Sequence, residues 1–282
     1  MHFLELPLVF FTVLAQCAVG GYLLVIAHLN SIPDGKQRRL VAMKTIFFVL
    51  AFMTIGFASS TMHLGSPLRA FNSLNRVGGS GLSNEILTGS IFFALTGCYW
   101  LTEVCHKSKQ RFRSLLKYLA AIAGIIFMAA MVKVYLIETV PLWDNIFTPL
   151  DFIFTVMTAG VLFGSLLLNV FGGSNAKANK RMAAFGLLLI GLHFIVIIVR
   201  TISFSSIATS IHQATTNLQA YMPMIIIQCV LMLLAGWLWM RAINSEKKQV
   251  TMLLSLAFVA IFVAEIFGRG TFYGMHFTVG LL

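Results

Sequence analysis

The chain has 282 residues, 59% of them hydrophobic and 10% charged, a composition that would leave far more apolar surface in water than a soluble domain tolerates. Its formal net charge of +11 is spread through the short polar stretches between apolar runs rather than gathered into a stripe, which argues against a nucleic-acid partner. Lipid is the natural solvent, and runs of about 20 residues match a hydrocarbon core crossed at about 1.5 Å per residue.

In chain order, the apolar runs predict transmembrane helices over about 7–29, 41–62, 84–104, 118–137, 150–171, 183–203, 223–243 and 251–276. The reading is an all-α integral membrane protein, a bundle of eight transmembrane helices forming one polytopic domain over 1–282. A β-barrel is unlike it, because the segments are continuous apolar blocks of twice strand length without alternation. The first run is expected to be a retained helix rather than a cleaved signal peptide, since Met1 to Leu6 carries Glu5 and no basic residue.

The first loop region holds Lys36, Arg38, Arg39 and Lys44, the third Lys107, Lys109, Arg111, Arg113 and Lys117, the fifth Lys177, Lys180 and Arg181, and the seventh Arg241, Lys247 and Lys248. The other side keeps only Arg69, Arg76, Lys133, Arg200 and Arg269. By the positive-inside rule the odd-numbered loops are cytoplasmic and both termini lie on the outer, periplasmic side. The basic surplus is therefore a topology signal that needs no anionic partner beyond lipid head groups.

The second loop is unlike a plain connection. Ser66 before Pro67 reads as an N-cap with proline at the first helical position, and Gly78-Gly79 as a stop, so a short amphipathic helix is expected over 67–77. Arg69, Asn72 and Arg76 share one of its faces, and Leu68, Phe71 and Leu74 or Val77 another, as suits an element lying along the outer interface. Glu85 then opens the third helix.

Within the later helices, Lys133 and Arg200 sit near outer helix ends and are expected to snorkel to the head groups, and His193 to bond a carbonyl. Cys17, Cys98, Cys105 and Cys229 form no CxxC pair and read as buried apolar thiols. In the last helix Glu265, Arg269, Phe272 and His276 fall within about 60° of arc at about 100° per residue. Glu265 with Arg269 reads as a structural i, i+4 ion pair, and Gly268, Gly270 and Gly274 leave room beside that face for a helix or a flat ligand. His63, Arg69, Arg76, Glu85, Arg269 and His276 converge on the outer layer, the pattern of a proton-handling site.

The string HLGSPLRAFNSLNRVGGSGLSNE, His63 to Glu85, and GRGTFYGMHFTVG, Gly268 to Gly280, resemble the membrane-anchor subunit of bacterial dimethyl sulfoxide reductase. Glu5-Leu6-Pro7-Leu8, the stretch Gln16 to Gly21 and the turn Thr139-Val140-Pro141-Leu142-Trp143 are similar to that family too, so the likeness runs nearly end to end. It implies eight helices with outer termini, and menaquinol as a bound substrate in a chain that oxidises quinol without performing the terminal reduction. It also implies an iron–sulfur electron-transfer subunit and a molybdopterin catalytic subunit on the outer face, in the bacterial inner membrane. No haem is expected in this chain, which offers no facing histidine pair at depth, and no iron–sulfur cluster, for which its cysteines have no spacing.

By the same resemblance, His63 and Glu85 correspond to the quinol-site histidine and glutamate. The chemistry agrees, since a quinol losing two electrons also loses two protons and needs an acceptor near each hydroxyl. Two alternatives stand beside this reading. One is a purely structural anchor whose outer charges are docking contacts, with quinol at the seam with the partner. The other is a proton or ion transporter, which calls for midplane charges and interrupted helices in two related halves, neither evident in the sequence.

Overall fold

A computed structural model describes residues 6–63, 72, 74–105, 109–207, 214–243 and 245–278. Among them run eight α-helices and no strand: α1 Leu6–Leu29, α2 Lys36–His63, α3 Gly81–Cys105, α4 Gln110–Tyr135, α5 Phe147–Val170, α6 Ala176–Phe204, α7 Ala214–Ile243 and α8 Lys247–Gly274. Seven of them are long and apolar enough to cross a membrane. The exception is α3, whose apolar residues are diluted by Ser83, Asn84, Glu85, Thr88, Ser90, Thr96, Thr102 and Glu103.

Several helices begin earlier than hydropathy predicts: α2 at Lys36, α4 at Gln110, α6 at Ala176 and α7 at Ala214. Hydropathy marks only the stretch inside hydrocarbon, whereas backbone hydrogen bonding carries a helix on through polar residues at the interface. Pro223 accordingly sits inside α7, removing one backbone donor without ending the helix.

Short connections make consecutive helices antiparallel neighbours. One end of the bundle gathers the α1–α2, α3–α4 and α5–α6 connections, tied by Lys117 Nζ to Asn30 Oδ1 (2.7 Å), Gln110 Nε2 to Asp34 Oδ2 (2.8 Å) and a His28 Nε2 contact with the Gly173 carbonyl (2.8 Å). The opposite end holds the start of α1, the end of α8 and the α4–α5 turn, where Trp143 Nε1 donates to the Phe272 carbonyl (2.9 Å). These are the basic end and the terminus-bearing end of the bundle.

Of the expected helix over 67–77, residues 67–71 and 73 lie outside the described residues. The remainder is a 3-10 turn that stops at Gly78. Gly78 has φ +86, a conformation glycine adopts without penalty, and its N–H donates to Asn84 Oδ1 (2.7 Å).

Helix α1 is the centre of the bundle and packs on α2, α4, α5 and α8. Its sequence is apolar all round with small residues at Ala15, Ala18, Gly20 and Gly21, all buried, as a helix enclosed on every side must be. Lipid tails are as apolar as leucine, so the α1–α5 association depends on close packing rather than on water exclusion. Gly20 supplies it: an added Cβ there would collide with the Val156 carbonyl oxygen and lie 2.8 Å from Gly160 Cα.

Gly20→Val is therefore expected to remove most of the folded chain from the membrane fraction, since neither backbone can retreat without parting α1 from α5. Quantitative immunoblotting of membranes checks this, and wild-type abundance would contradict the central packing of α1. Large apolar side chains turned away from the bundle, such as Ile122 and Ile125 on α4, Leu188 and Ile195 on α6, and Val230 and Leu233 on α7, suit a lipid environment. Cys17 is buried as expected, but Cys98 and Cys105 are exposed on the surface of the protein and Cys229 is half-buried, all as free thiols. A thiol is apolar enough to face lipid, so burial in the protein is not required of it.

Candidate functional site

The residues singled out in the sequence are placed unevenly. His63 ends α2; its side chain and the whole of Arg69 lie outside the described residues. Arg76 is exposed, and its carbonyl accepts the N–H groups of Gly79 (3.1 Å) and Ser80 (2.9 Å) that close the turn before α3. Glu85, just past the first turn of α3, is 2% exposed, and its Oε1 has no hydrogen-bond partner among the described residues. An unpartnered buried carboxylate oxygen costs free energy.

Around Glu85 the terminus-bearing end is aromatic. The hydroxyls of Tyr135, at the end of α4, and Tyr273, on α8, are 2.8 Å apart. Both rings lie within electrostatic range of the Glu85 carboxylate and the Arg269 guanidinium. Trp143 stacks on Phe272 with centroids 5.4 Å apart, and the His276 ring stacks on Trp143 at 5.0 Å. Helix α8 ends at Gly274, so His276 is not on its helical face: it is exposed beyond the end, with Nδ1 2.5 Å from the Tyr273 carbonyl.

Arg269 is 4% exposed and points into the bundle. Its Nη2 donates to Gln16 Oε1 (2.9 Å) and to Thr155 Oγ1 (3.4 Å), and the guanidinium lies 3.5 Å from the centroid of the Phe152 ring. Gln16 is held in turn by donating from Nε2 to the Phe152 carbonyl (3.2 Å). The expected direct pair with Glu265 is absent. Glu265 instead accepts from Thr155 Oγ1 and Thr158 Oγ1, both at 2.9 Å, and its Oε1 lies 3.4 Å from His193 Nδ1. The i, i+4 spacing places both residues on one side of α8, but α5 packs there and inserts the Thr155 hydroxyl, which touches both.

Two further expectations change. Arg200 does not snorkel: it is buried and paired with Asp151, whereas Lys133 is exposed near the end of α4. His193 faces two carboxylates rather than a carbonyl, with Nε2 4.0 Å from Asp151 Oδ1, and its ring stacks on Phe154 at 5.3 Å. The result is a continuous buried polar line, Arg200, Asp151, His193, Glu265, Thr155, Arg269 and Gln16, drawn from α6, α5, α8 and α1. Asp151 was the missing member. It stands near the start of α5 and Arg200 near the end of the antiparallel α6, so matching depths would have paired them.

Two of the three glycines singled out in α8, Gly268 and Gly274, serve helix packing. A Cβ at Gly268 would meet the Gln228 amide and one at Gly274 the Tyr221 ring, both from α7, so that space belongs to a helix and not to a flat ligand. An apolar groove of about 400 Å³ does open between α1, α4 and α5, lined by Val19, Met128, Val132, Phe152 and Val156 among others. Phe152 forms part of its wall and also carries the Arg269 guanidinium.

A family model described as DMSO reductase anchor subunit (DmsC) matches residues 1–275. The protein is 38% identical to the C subunit of the anaerobic dimethyl sulfoxide reductase of Escherichia coli over 280 residues, covering 98% of its own length and 96% of that relative. It is 38% identical to the YnfH subunit of anaerobic dimethyl sulfoxide reductase from the same organism over 282 residues, and to the C subunit of the Haemophilus influenzae reductase over 279, with 98% and 96% covered in both cases. With its apolar helices and this end-to-end match, the chain is a multi-pass membrane protein that belongs to the DMSO reductase anchor subunit family.

Proposed function

We propose that the chain anchors a dimethyl sulfoxide reductase-type complex in the bacterial inner membrane and oxidises menaquinol at its terminus-bearing end. In this reading that end faces the periplasm and all eight helices, α3 included, span the bilayer. An iron–sulfur subunit docks there, receives the electrons and feeds a molybdopterin catalytic subunit. The relatives' names speak for the complex. The observation that carries the quinol site is Glu85, a buried carboxylate with an oxygen unpartnered among the described residues, within electrostatic range of the Tyr135–Tyr273 pair.

The chemistry fits those groups. Each quinol hydroxyl must give up a proton as its electron leaves, which calls for a positioned acceptor at each end of the ring. His63 at the end of α2 and Glu85 in the second turn of α3 are assigned those two roles, with Glu85 relaying its proton outward. The groove against Phe152 gives the isoprenoid tail a lipid-facing wall, and aromatic rings at the bundle end give the quinol ring stacking partners. Arg69, Arg76, Arg269 and His276 serve as charge and hydrogen-bond partners around the site.

The exposed Arg76 and His276 favour a narrower reading as well, in which the outer charges only dock the partner and quinol binds at the seam. His63→Ala in the assembled complex separates the two. Loss of menaquinol-driven reduction with retained turnover on an artificial electron donor is expected, and full menaquinol-driven activity would reject His63 as a proton acceptor.

A further inference from the structure

The bundle's basic end contains a cavity of about 600 Å³ between the starts of α2 and α4 and the end of α3. Its walls bring together Lys36, Arg38 and Arg39 from α2 and Arg113 and Lys117 from α4, with Asp34 and Glu103 as the carboxylates among its lining residues. The floor is Tyr99 and Ala42, both buried, nearly two helical turns inside the helix ends.

The charges do not balance within the cavity. Arg38 pairs with Asp34, and Arg113 Nη1 with Glu103 Oε2 at 3.4 Å. Arg39 spends its guanidinium on the carbonyls of Glu103 (2.5 Å) and Val104 (2.6 Å), which closes the end of α3 but supplies no counter-charge. Lys117 is 3% exposed, yet among the described residues its ammonium meets only the neutral Asn30 amide and the Tyr118 ring, 4.6 Å to the centroid. Arg113 Nε is buried with no hydrogen-bond partner among the described residues. The sequence holds no other acid in 30–44 or 104–117, so neither connection supplies a further carboxylate.

Helix dipoles make the imbalance worse. Neither α2 nor α4 has an acidic residue in its first turn, and Lys109, at the N-cap of α4, makes no side-chain cap. Two positive helix ends and five cationic side chains thus converge on one opening, against two carboxylates and the one negative helix end of α3. A buried ammonium lacking a counter-ion is costly, and an anion seated in the cavity removes that cost. Forked guanidinium and ammonium donors suit a phosphate group, and the volume exceeds what one phosphate fills while lying within the range of small-ligand sites.

We infer that this cavity is a binding site for a phosphate-bearing anion, either the head group of an anionic phospholipid in the adjoining leaflet or a free phosphate compound. Lys117 and Arg113 hold the phosphate, Lys36 and Arg39 attract it to the opening, and Glu103 competes with it for Arg113. The site is separate from the quinol reading, which concerns the opposite end of the bundle.

The test uses the full chain purified in mild detergent, with thermal unfolding followed as phosphatidylglycerol, phosphatidylcholine, inorganic phosphate or sodium chloride of matched ionic strength is added. Phosphatidylglycerol or phosphate is expected to raise the midpoint where phosphatidylcholine and chloride do not. A rise with the lipid alone identifies a head group, and a rise with phosphate alone a soluble anion. Half-saturation should move up at least tenfold in Lys117→Gln and Arg113→Gln and move down in Glu103→Gln, which keeps the test open should the cationic variants fail to fold. No rise beyond the two controls, or half-saturation unchanged in Glu103→Gln, overturns the assignment.

Discussion

Glu85→Gln is expected to lower menaquinol-driven turnover at least tenfold, a loss of about 1.4 kcal/mol in barrier height, in a complex that still assembles. Glutamine keeps the size of the side chain and an oxygen acceptor but does not titrate, so what it removes is the proton acceptor. Because Oε1 of Glu85 has no partner among the described residues, the substitution breaks no hydrogen bond to that atom and its cost to folding should be small. Glu265→Gln provides the contrast. Its carboxylate accepts from two threonines and faces His193, so reduced abundance of the complex should precede any kinetic defect. Membrane abundance is to be measured beside menaquinol-driven and artificial-donor activities for both variants. Equal effects would remove the reason for assigning the proton route to Glu85, and full quinol activity in Glu85→Gln would reject that route.

The second large effect is expected at the buried Asp151–Arg200 pair joining α5 to α6. Arg200→Leu strips the buried Asp151 carboxylate of its guanidinium and, among the described residues, leaves only the His193 ring, 4.0 Å away, facing it, and breaking such a pair typically costs roughly 3–5 kcal/mol, enough to deplete the protein from the membrane. Removing both charges with Asp151→Asn and Arg200→Gln should restore much of that abundance, since the desolvation of both ions is then avoided. The comparison is by immunoblot and by thermal unfolding of the purified protein. An Arg200→Leu variant as abundant and as stable as wild type would mean that Arg200 reaches the head groups after all.

What the sequence made legible follows from which forces act locally. The helices announce themselves because a lipid-soluble helix must satisfy its own backbone within one apolar segment, and each predicted run coincides with one of the eight observed helices. Their starts were less legible: Lys36, Gln110 and Ala176 continue helical hydrogen bonding through polar sequence that hydropathy does not register. Glu85 stood out as an acid opening a helix beside an unusual polar loop. Asp151 did not, because its meaning depends on Arg200, 49 residues away on another helix. Glu265 and Arg269 show the opposite fault, in which a local spacing rule suggested a pair that α5 interrupts with Thr155. Gln16 lay within a motif, but its task of holding Arg269 exists only where α1 meets α8.

The most direct test of the proposed function is to map a photoreactive menaquinone analogue on the assembled complex and identify the cross-linked peptides by mass spectrometry. Labelling confined to the segment 63–85, to the outer halves of α4 and α5 around Val132 and Phe152, and to 269–276, and displaced by excess menaquinone, is the predicted result. Displaceable labelling concentrated on 30–44 or 105–117, at the basic end of the bundle, would contradict it.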